Sequence, residues 1–187
     1  MYQQQNPYGQ GPPRPDPNDP LYQWFLSVDT DRSGFIDQDE LQRCLTMSGL
    51  SGSWKPFSAE TCRLMIAMLD RDQNGTLSFD EFKNLWQIVN GWKQVFLQAD
   101  ADRSGFIDER ELQQCINNLG YRLSPQTVQS MTKRYSDNSS KQLAFDDFVA
   151  CIVRMRALTD GFMVLDHQRT GVVQMPYDKF IQLSMMY

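Results

Sequence analysis

The chain has 187 residues, 41% of them hydrophobic, with 23 acidic and 18 basic side chains and a formal net charge of −5, which is enough apolar material for one large or two small cores. The weak charge and the absence of basic clusters exclude nucleic acid as an expected partner, and no run of about 18 apolar residues is present to span a bilayer. No basic start leads into an apolar run at the N-terminus, so no secretory leader is expected, and Cys44, Cys62, Cys115 and Cys151 are spaced unlike a zinc site or redox pair, reading instead as reduced, buried thiols of a cytoplasmic protein.

Residues 1–20 form a distinct head. Six of the nine prolines lie in it (Pro7, Pro12, Pro13, Pro15, Pro17, Pro20), interleaved with glutamine and glycine. Such a composition cannot bury enough apolar surface to offset the entropy of ordering, so the head is expected to be disordered. From Leu21 onward apolar residues recur at helical spacing: Leu21, Trp24, Phe25 and Val28, then Met65, Ile66 and Leu69, then Phe82, Leu85, Trp86 and Val89. Trp92, Val95, Phe96 and Ala99 continue it, followed by Val128, Met131 and Tyr135, then Phe148, Cys151, Ile152 and Met155. No stretch sustains a period of two. Residues 21–187 are therefore expected to be an all-α domain.

Between these helices one loop repeats. Residues 29–40 read DTDRSGFIDQDE, 70–81 read DRDQNGTLSFDE and 100–111 read DADRSGFIDERE, and all three fit the calcium loop of an EF-hand. Calcium is a hard cation that takes six to eight oxygens, so alternate positions must supply them to one point. The candidates in the first loop are Asp29, Asp31, Ser33, the carbonyl of Phe35, Asp37 (through water) and Glu40. The second offers Asp70, Asp72, Asn74, the carbonyl of Thr76, Ser78 and Glu81. The third offers Asp100, Asp102, Ser104, the carbonyl of Phe106, Asp108 and Glu111. Gly34, Gly75 and Gly105 allow the sharp turn at position six. Ile36, Leu77 and Ile107 at position eight suit a short strand that pairs neighbouring loops. A bidentate glutamate in every loop favours calcium over magnesium.

Two further repeats are degenerate. Residues 136–147, SDNSSKQLAFDD, have Ser136 for the first aspartate, Lys141 for the glycine and Asp147 for the last glutamate, keeping only Leu143 at position eight. No binding is expected there. Residues 166–177, DHQRTGVVQMPY, keep Asp166, Gly171 and Val173, but Gln168 and Thr170 are neutral and Tyr177 ends the loop. Weak binding or none is expected in this fifth loop, with His167 exposed at a non-ligand position.

The spacing also orders the repeats. Gly49–Pro56 and Gly120–Pro125 leave room for linkers, with Ser58 and Ser124 as helix caps. Glu81–Asp100 leaves none, so it should be nearly one helix, with Gly91 the place for any bend. Position-eight strands stabilise hands in pairs, first with second and third with fourth. The fifth is left over, with Phe180, Ile181, Leu183, Met185 and Met186 uncovered, and pairing across a two-fold axis is the expected solution.

Five hands at these intervals behind a Pro/Gly/Gln-rich head resemble the penta-EF-hand family over residues 21–187. The stretches SWKPFSAET (53–61), LWQIVNGWKQVF (85–96), LGYRLS (119–124) and QLAFDDFVACIV (142–153) resemble its branch of peflin and the apoptosis-linked calcium adaptor. The resemblance implies a cytoplasmic homo- or heterodimer joined through the fifth hand, and recruitment to partner proteins or membranes when calcium rises. By motif it further implies that Trp86, Trp92, Arg122 and Tyr177 contact partners such as Pro-rich peptides. Both tryptophans also fall on the helical stripe, which equally suits a core role.

Charge supports a calcium sensor. The three complete loops carry 14 of the 23 acidic and four of the 18 basic residues, leaving the remainder of the chain at +5. Three calcium ions would bring the whole from −5 to about +1, easing approach to anionic lipid or acidic partners. A calcium buffer and a regulatory subunit of a calpain-like cysteine protease are the alternatives. Four scattered cysteines and one histidine offer no nucleophile and base, so an enzyme is not expected.

Overall fold

The computed structural model describes residues 15–50, 56–136 and 141–186. Most of the head (1–14), part of the first linker (51–55) and four residues of the fourth loop (137–140) lie outside the described residues, as does the last residue, 187.

Among the described residues eight helices follow one another: α1 (Pro20–Val28), α2 (Gln38–Met47), α3 (Ala59–Leu69), α4 (Phe79–Ala99), α5 (Glu109–Asn118), α6 (Pro125–Tyr135), α7 (Phe145–Leu165) and α8 (Tyr177–Met186). Their starts are written locally. The Ser58 and Ser124 hydroxyls accept from the N–H groups of Thr61 (3.0 Å) and Thr127 (3.2 Å), as the spacing predicts. Pro20 opens α1 behind Asp19, whose carboxylate accepts from Leu21 N at 2.9 Å. The boundary placed after Pro20 therefore falls inside a helix, because proline suits a first turn whose N–H would be unpaired anyway. α4 runs as one helix through Gly91, joining the second hand to the third, and α7 joins the fourth to the fifth in the same way.

The hands pair as the parity predicts. Ile36 and Leu77 exchange two main-chain hydrogen bonds (2.8 and 2.9 Å), and Ile107 and Leu143 exchange two more (both 2.9 Å). All four side chains are fully buried, so each loop pair is fastened to the core beneath it by apolar groups worth about 1.5–3 kcal/mol apiece. Beneath the first pair, Phe25 packs edge-on to Phe79 and Phe82. Beneath the second, Phe96 meets Phe145 and Phe148 in the same manner.

The two halves dock through α7, which packs on both α3 and α4. Arg154 of α7 pairs with Glu60 of α3 across this junction. Lys93 sits 4.4 Å above the Phe145 ring and donates to the Leu50 carbonyl at 3.4 Å, while burial pulls its ammonium below the ordinary value. By contrast, among the described residues α8 lacks a packing interface like those among the other helices. Phe180, Ile181 and Met185 on it are exposed, as are Met163 and Val164 at the end of α7. All four cysteines are free and buried. No helix of the described residues is long and apolar enough to cross a membrane.

Candidate functional site

Each complete loop is closed by its own first aspartate. The carboxylate of Asp29 accepts from the N–H groups of Ser33 and Gly34, both at 2.9 Å. Asp70 accepts from Asn74 (3.1 Å) and Gly75 (2.8 Å), and Asp100 from Ser104 (2.9 Å) and Gly105 (3.0 Å). The glycines adopt φ of +81° to +82°, as expected. Position four is left-handed as well: Arg32, Gln73 and Arg103 have φ of 57–59°. Nothing in the sequence signals this, since arginine and glutamine have no preference for that region. The cost is about 1–2 kcal/mol at each, offset by the hydrogen bonds the turn makes.

Position twelve does two jobs. The carboxylate of Glu40 accepts from Thr30 N (2.7 Å) and Asp37 N (3.2 Å). Glu81 accepts from Arg71 N and Ser78 N, both at 2.9 Å, and from the Ser78 hydroxyl at 2.7 Å. Glu111 accepts from Ala101 N (3.1 Å) and Asp108 N (3.0 Å). Positions nine and twelve thus form capping boxes that start α2, α4 and α5. The sequence carries this signal too, as D-x-x-E or S-x-x-E at the end of each loop. The calcium pattern by itself accounts for those residues only as ligands of the ion.

The result, among the described residues, is three clusters of like charge. Carboxylate oxygens of Asp29, Asp31 and Glu40 lie within 4.8 Å of one another, as do those of Asp70, Asp72 and Glu81, and of Asp100, Asp102 and Glu111. Side-chain and main-chain hydrogen bonds from Ser33 hold Asp31 below its ordinary value, and those from Ser104 do the same for Asp102. Burial pushes Asp70 and Glu81 upward. Hydrogen bonds outweigh it, from the N–H groups of Gly75 and Asn74 for Asp70 and from Arg71 N–H and the Ser78 hydroxyl and N–H for Glu81, so both end below their ordinary values. Carboxylates packed in this way are a donor set for a hard divalent cation. The hydroxyls of Ser33 and Ser104 lie beside them, each donating to the carbonyl of Phe35 or Phe106 at 3.1 Å. Asn74 holds the equivalent place in the second loop, where its side chain bonds Asp72 and Thr76.

The degenerate loops depart from this pattern. Lys141 occupies the position-six turn with φ of 53°, and among the described residues no cluster of ligating groups forms there. The fifth loop builds the same turn as the complete ones: Asp166 accepts from Thr170 N (2.9 Å) and Gly171 N (2.7 Å), and Arg169 is left-handed. It lacks acids at positions three and twelve, where Gln168 and Tyr177 stand, and His167 is exposed.

The four partner-binding candidates are not alike. Trp92 is 6% exposed and belongs to the core. This is the core role that its place on the helical stripe equally allows. Trp86 is half-buried, stacked on Phe82 with centroids 6.1 Å apart and 6.4 Å from the ring of Trp24. Arg122 is exposed, and Tyr177 is 78% exposed at the start of α8.

Residues 19–87 and 90–152 each match the model of an EF-hand domain pair, the first fastened internally by the Ile36–Leu77 bridge and the second by the Ile107–Leu143 bridge. The chain is 55% identical to sorcin of Homo sapiens over 89% of its own length and 83% of that protein's. Against grancalcin of Mus musculus the identity is 50%, covering 90% and 75%. Against peflin of Homo sapiens it is 37%, covering 95% and 61%. Identity is thus higher to sorcin and grancalcin than to peflin, whose branch the linker and helix stretches resemble. Among solved structures, a homolog of programmed cell death 6 protein from Leishmania major Friedlin is similar at a TM-score of 0.64 and 32% identity, covering 88% of this chain and 92% of that one.

Proposed function

The chain belongs to the penta-EF-hand family and binds calcium, and we propose that it is a calcium-sensing adaptor that docks to partner proteins or membranes once the ion is bound. One observation carries this reading: Glu40, Glu81 and Glu111 are at once members of the charge clusters and third residues of α2, α4 and α5. Anything that repositions these carboxylates acts directly on the first turn of a helix. Calcium supplies the double positive charge that a cluster of three carboxylates lacks. The ligands assigned are the side chains at positions one, three, five, nine and twelve of the three complete loops, with the carbonyls of Phe35, Thr76 and Phe106 at position seven. The fourth and fifth loops are assigned none.

Reorientation of α4 carries furthest, since its 21 residues belong to both the second and third hands. In sensor EF-hands such motion uncovers apolar surface. We assign dimerisation to the fifth hand, on the strength of the exposed Phe180, Ile181 and Met185 and the lack, among the described residues, of a partner loop for residues 166–177. The reading also places the protein in the cytoplasm, with residues 1–20 as a flexible head, Trp86, Arg122 and Tyr177 as the remaining peptide-contact candidates, and no catalytic step.

The test is retention of cytosolic proteins and of phosphatidylserine vesicles on the immobilised full chain, washed with calcium or with chelator. Release by chelator supports the adaptor. A partner held equally in both washes makes it a constitutive subunit, and failure to retain anything makes it a buffer.

A further inference from the structure

Between α6 and α7, lined also by Ser184 of α8, runs a groove of about 530 Å³. Its wall is apolar, with Met131, Met155, Leu158 and Phe162 among its residues, and its charged residues are both cations, Arg134 and Arg154. No carboxylate is among the residues that line it. A cationic, methionine-containing trough stands out on a chain of net charge −5. Methionine is flexible and polarisable, and such surfaces accommodate varied apolar side chains. The volume lies within the usual range for binding clefts of about 300–1,000 Å³.

The two arginines are set differently. Arg154 is paired with Glu60 of α3. Arg134 lies at the exposed edge, 5.8 Å over the ring of Tyr135. Leu158 is 44% exposed on the rim. A ligand that fits would bury apolar side chains along the floor and place a carboxylate against Arg134.

We propose that this groove docks a short apolar segment of a partner protein bearing a carboxylate. The proposal rests on the adaptor reading and names a surface for it. Charge complementarity decides the occupant. Residues 1–14 of the chain's own head contain no acidic residue and end in Arg14, so they lack the group that Arg134 selects. α8 of a second copy carries Asp178 beside Lys179, which cancel.

The test is fluorescence anisotropy of a fluorescein-labelled hexapeptide of alternating aspartate and leucine, with a lysine–leucine counterpart, titrated with the full chain in calcium and in chelator. Arg134→Glu and Leu158→Glu alter exposed side chains only, so their calcium titrations should match the parent. Wild type should prefer the acidic peptide by about tenfold or more, and each variant should weaken its binding by about tenfold. No binding to wild type, equal binding of the two peptides, or unchanged binding in both variants overturns the proposal. So does displacement by a synthetic peptide of residues 1–14, or an affinity that falls as the chain self-associates, which would assign the groove to the head or to a second copy. Equal binding in chelator sustains the groove and removes calcium dependence from the adaptor reading, so the two fail separately.

Discussion

Glu81→Gln separates the two jobs of position twelve. Glutamine keeps the length of the side chain and is accepted at the third position of a capping box, so the start of α4 should survive. In the calcium-free chain the N–H groups of Arg71 and Ser78 and the Ser78 hydroxyl all donate to this carboxylate, and bonds to a charged acceptor are worth about 1.5–3 kcal/mol against about 0.5–1.5 for neutral ones. Against that loss stands relief of repulsion from Asp70, which lifts Glu81 toward its protonated form. The net cost should be about 1 kcal/mol, a fall in Tm of about 2–4 °C for a chain of this size. Calcium binding should suffer far more. Even under full aqueous screening, removing one charge from about 2.5 Å of a divalent ion costs about 3 kcal/mol, or over about 100-fold in affinity. Isothermal titration in the presence of a competing chelator should count three sites in the parent and two in the variant. Three sites of unchanged affinity would refute the assignment of Glu81 as a ligand. A calcium-free Tm lower by more than about 10 °C would show that the carboxylate is chiefly structural.

Acid should destabilise the calcium-free chain in a defined window. Asp31, Asp70, Asp102 and Glu81 are all held below their ordinary values of 3.8 and 4.5, so their contribution is complete above those values and disappears as the pH falls through the depressed ones; chemical denaturation at stepped pH should show a plateau to about pH 5 and a decline below it. Burial pushes Cys44 up to about 11 and Cys62, Cys115 and Cys151 up to about 12, so a disulfide reagent at pH 8 should label none in the native chain and four in denaturant. Phe180→Asp combined with Met185→Asp changes two exposed side chains of α8 and should convert a dimer to a monomer in sedimentation velocity; an unaltered dimer would move the interface elsewhere. Lys141→Gly relieves a left-handed residue at φ of 53° and should raise the denaturation midpoint by the equivalent of about 0.5–1 kcal/mol.

Helix starts and metal loops were legible in the sequence because both are local. A loop of twelve residues contains all its ligands, so composition at alternate positions is already the coordination set, and Ser58 and Ser124 cap helices within three residues of themselves. Loop intervals likewise announce α4 as a single helix, since a 30-residue spacing leaves no room for a linker, and an odd number of hands leaves the fifth over. Tertiary structure decided the rest. Trp86 and Trp92 lie on one helical stripe, yet packing of neighbouring helices leaves the first half-exposed and buries the second. The left-handed turn at Arg32, Gln73 and Arg103 is imposed by an aspartate accepting two N–H groups, against the residues' own preference. Glu60 and Arg154 stand 94 residues apart, and the groove between α6 and α7 exists only once both helices are placed. No periodicity encodes such meetings, because they depend on how finished helices dock, and docking is set by shape and burial summed over the whole core.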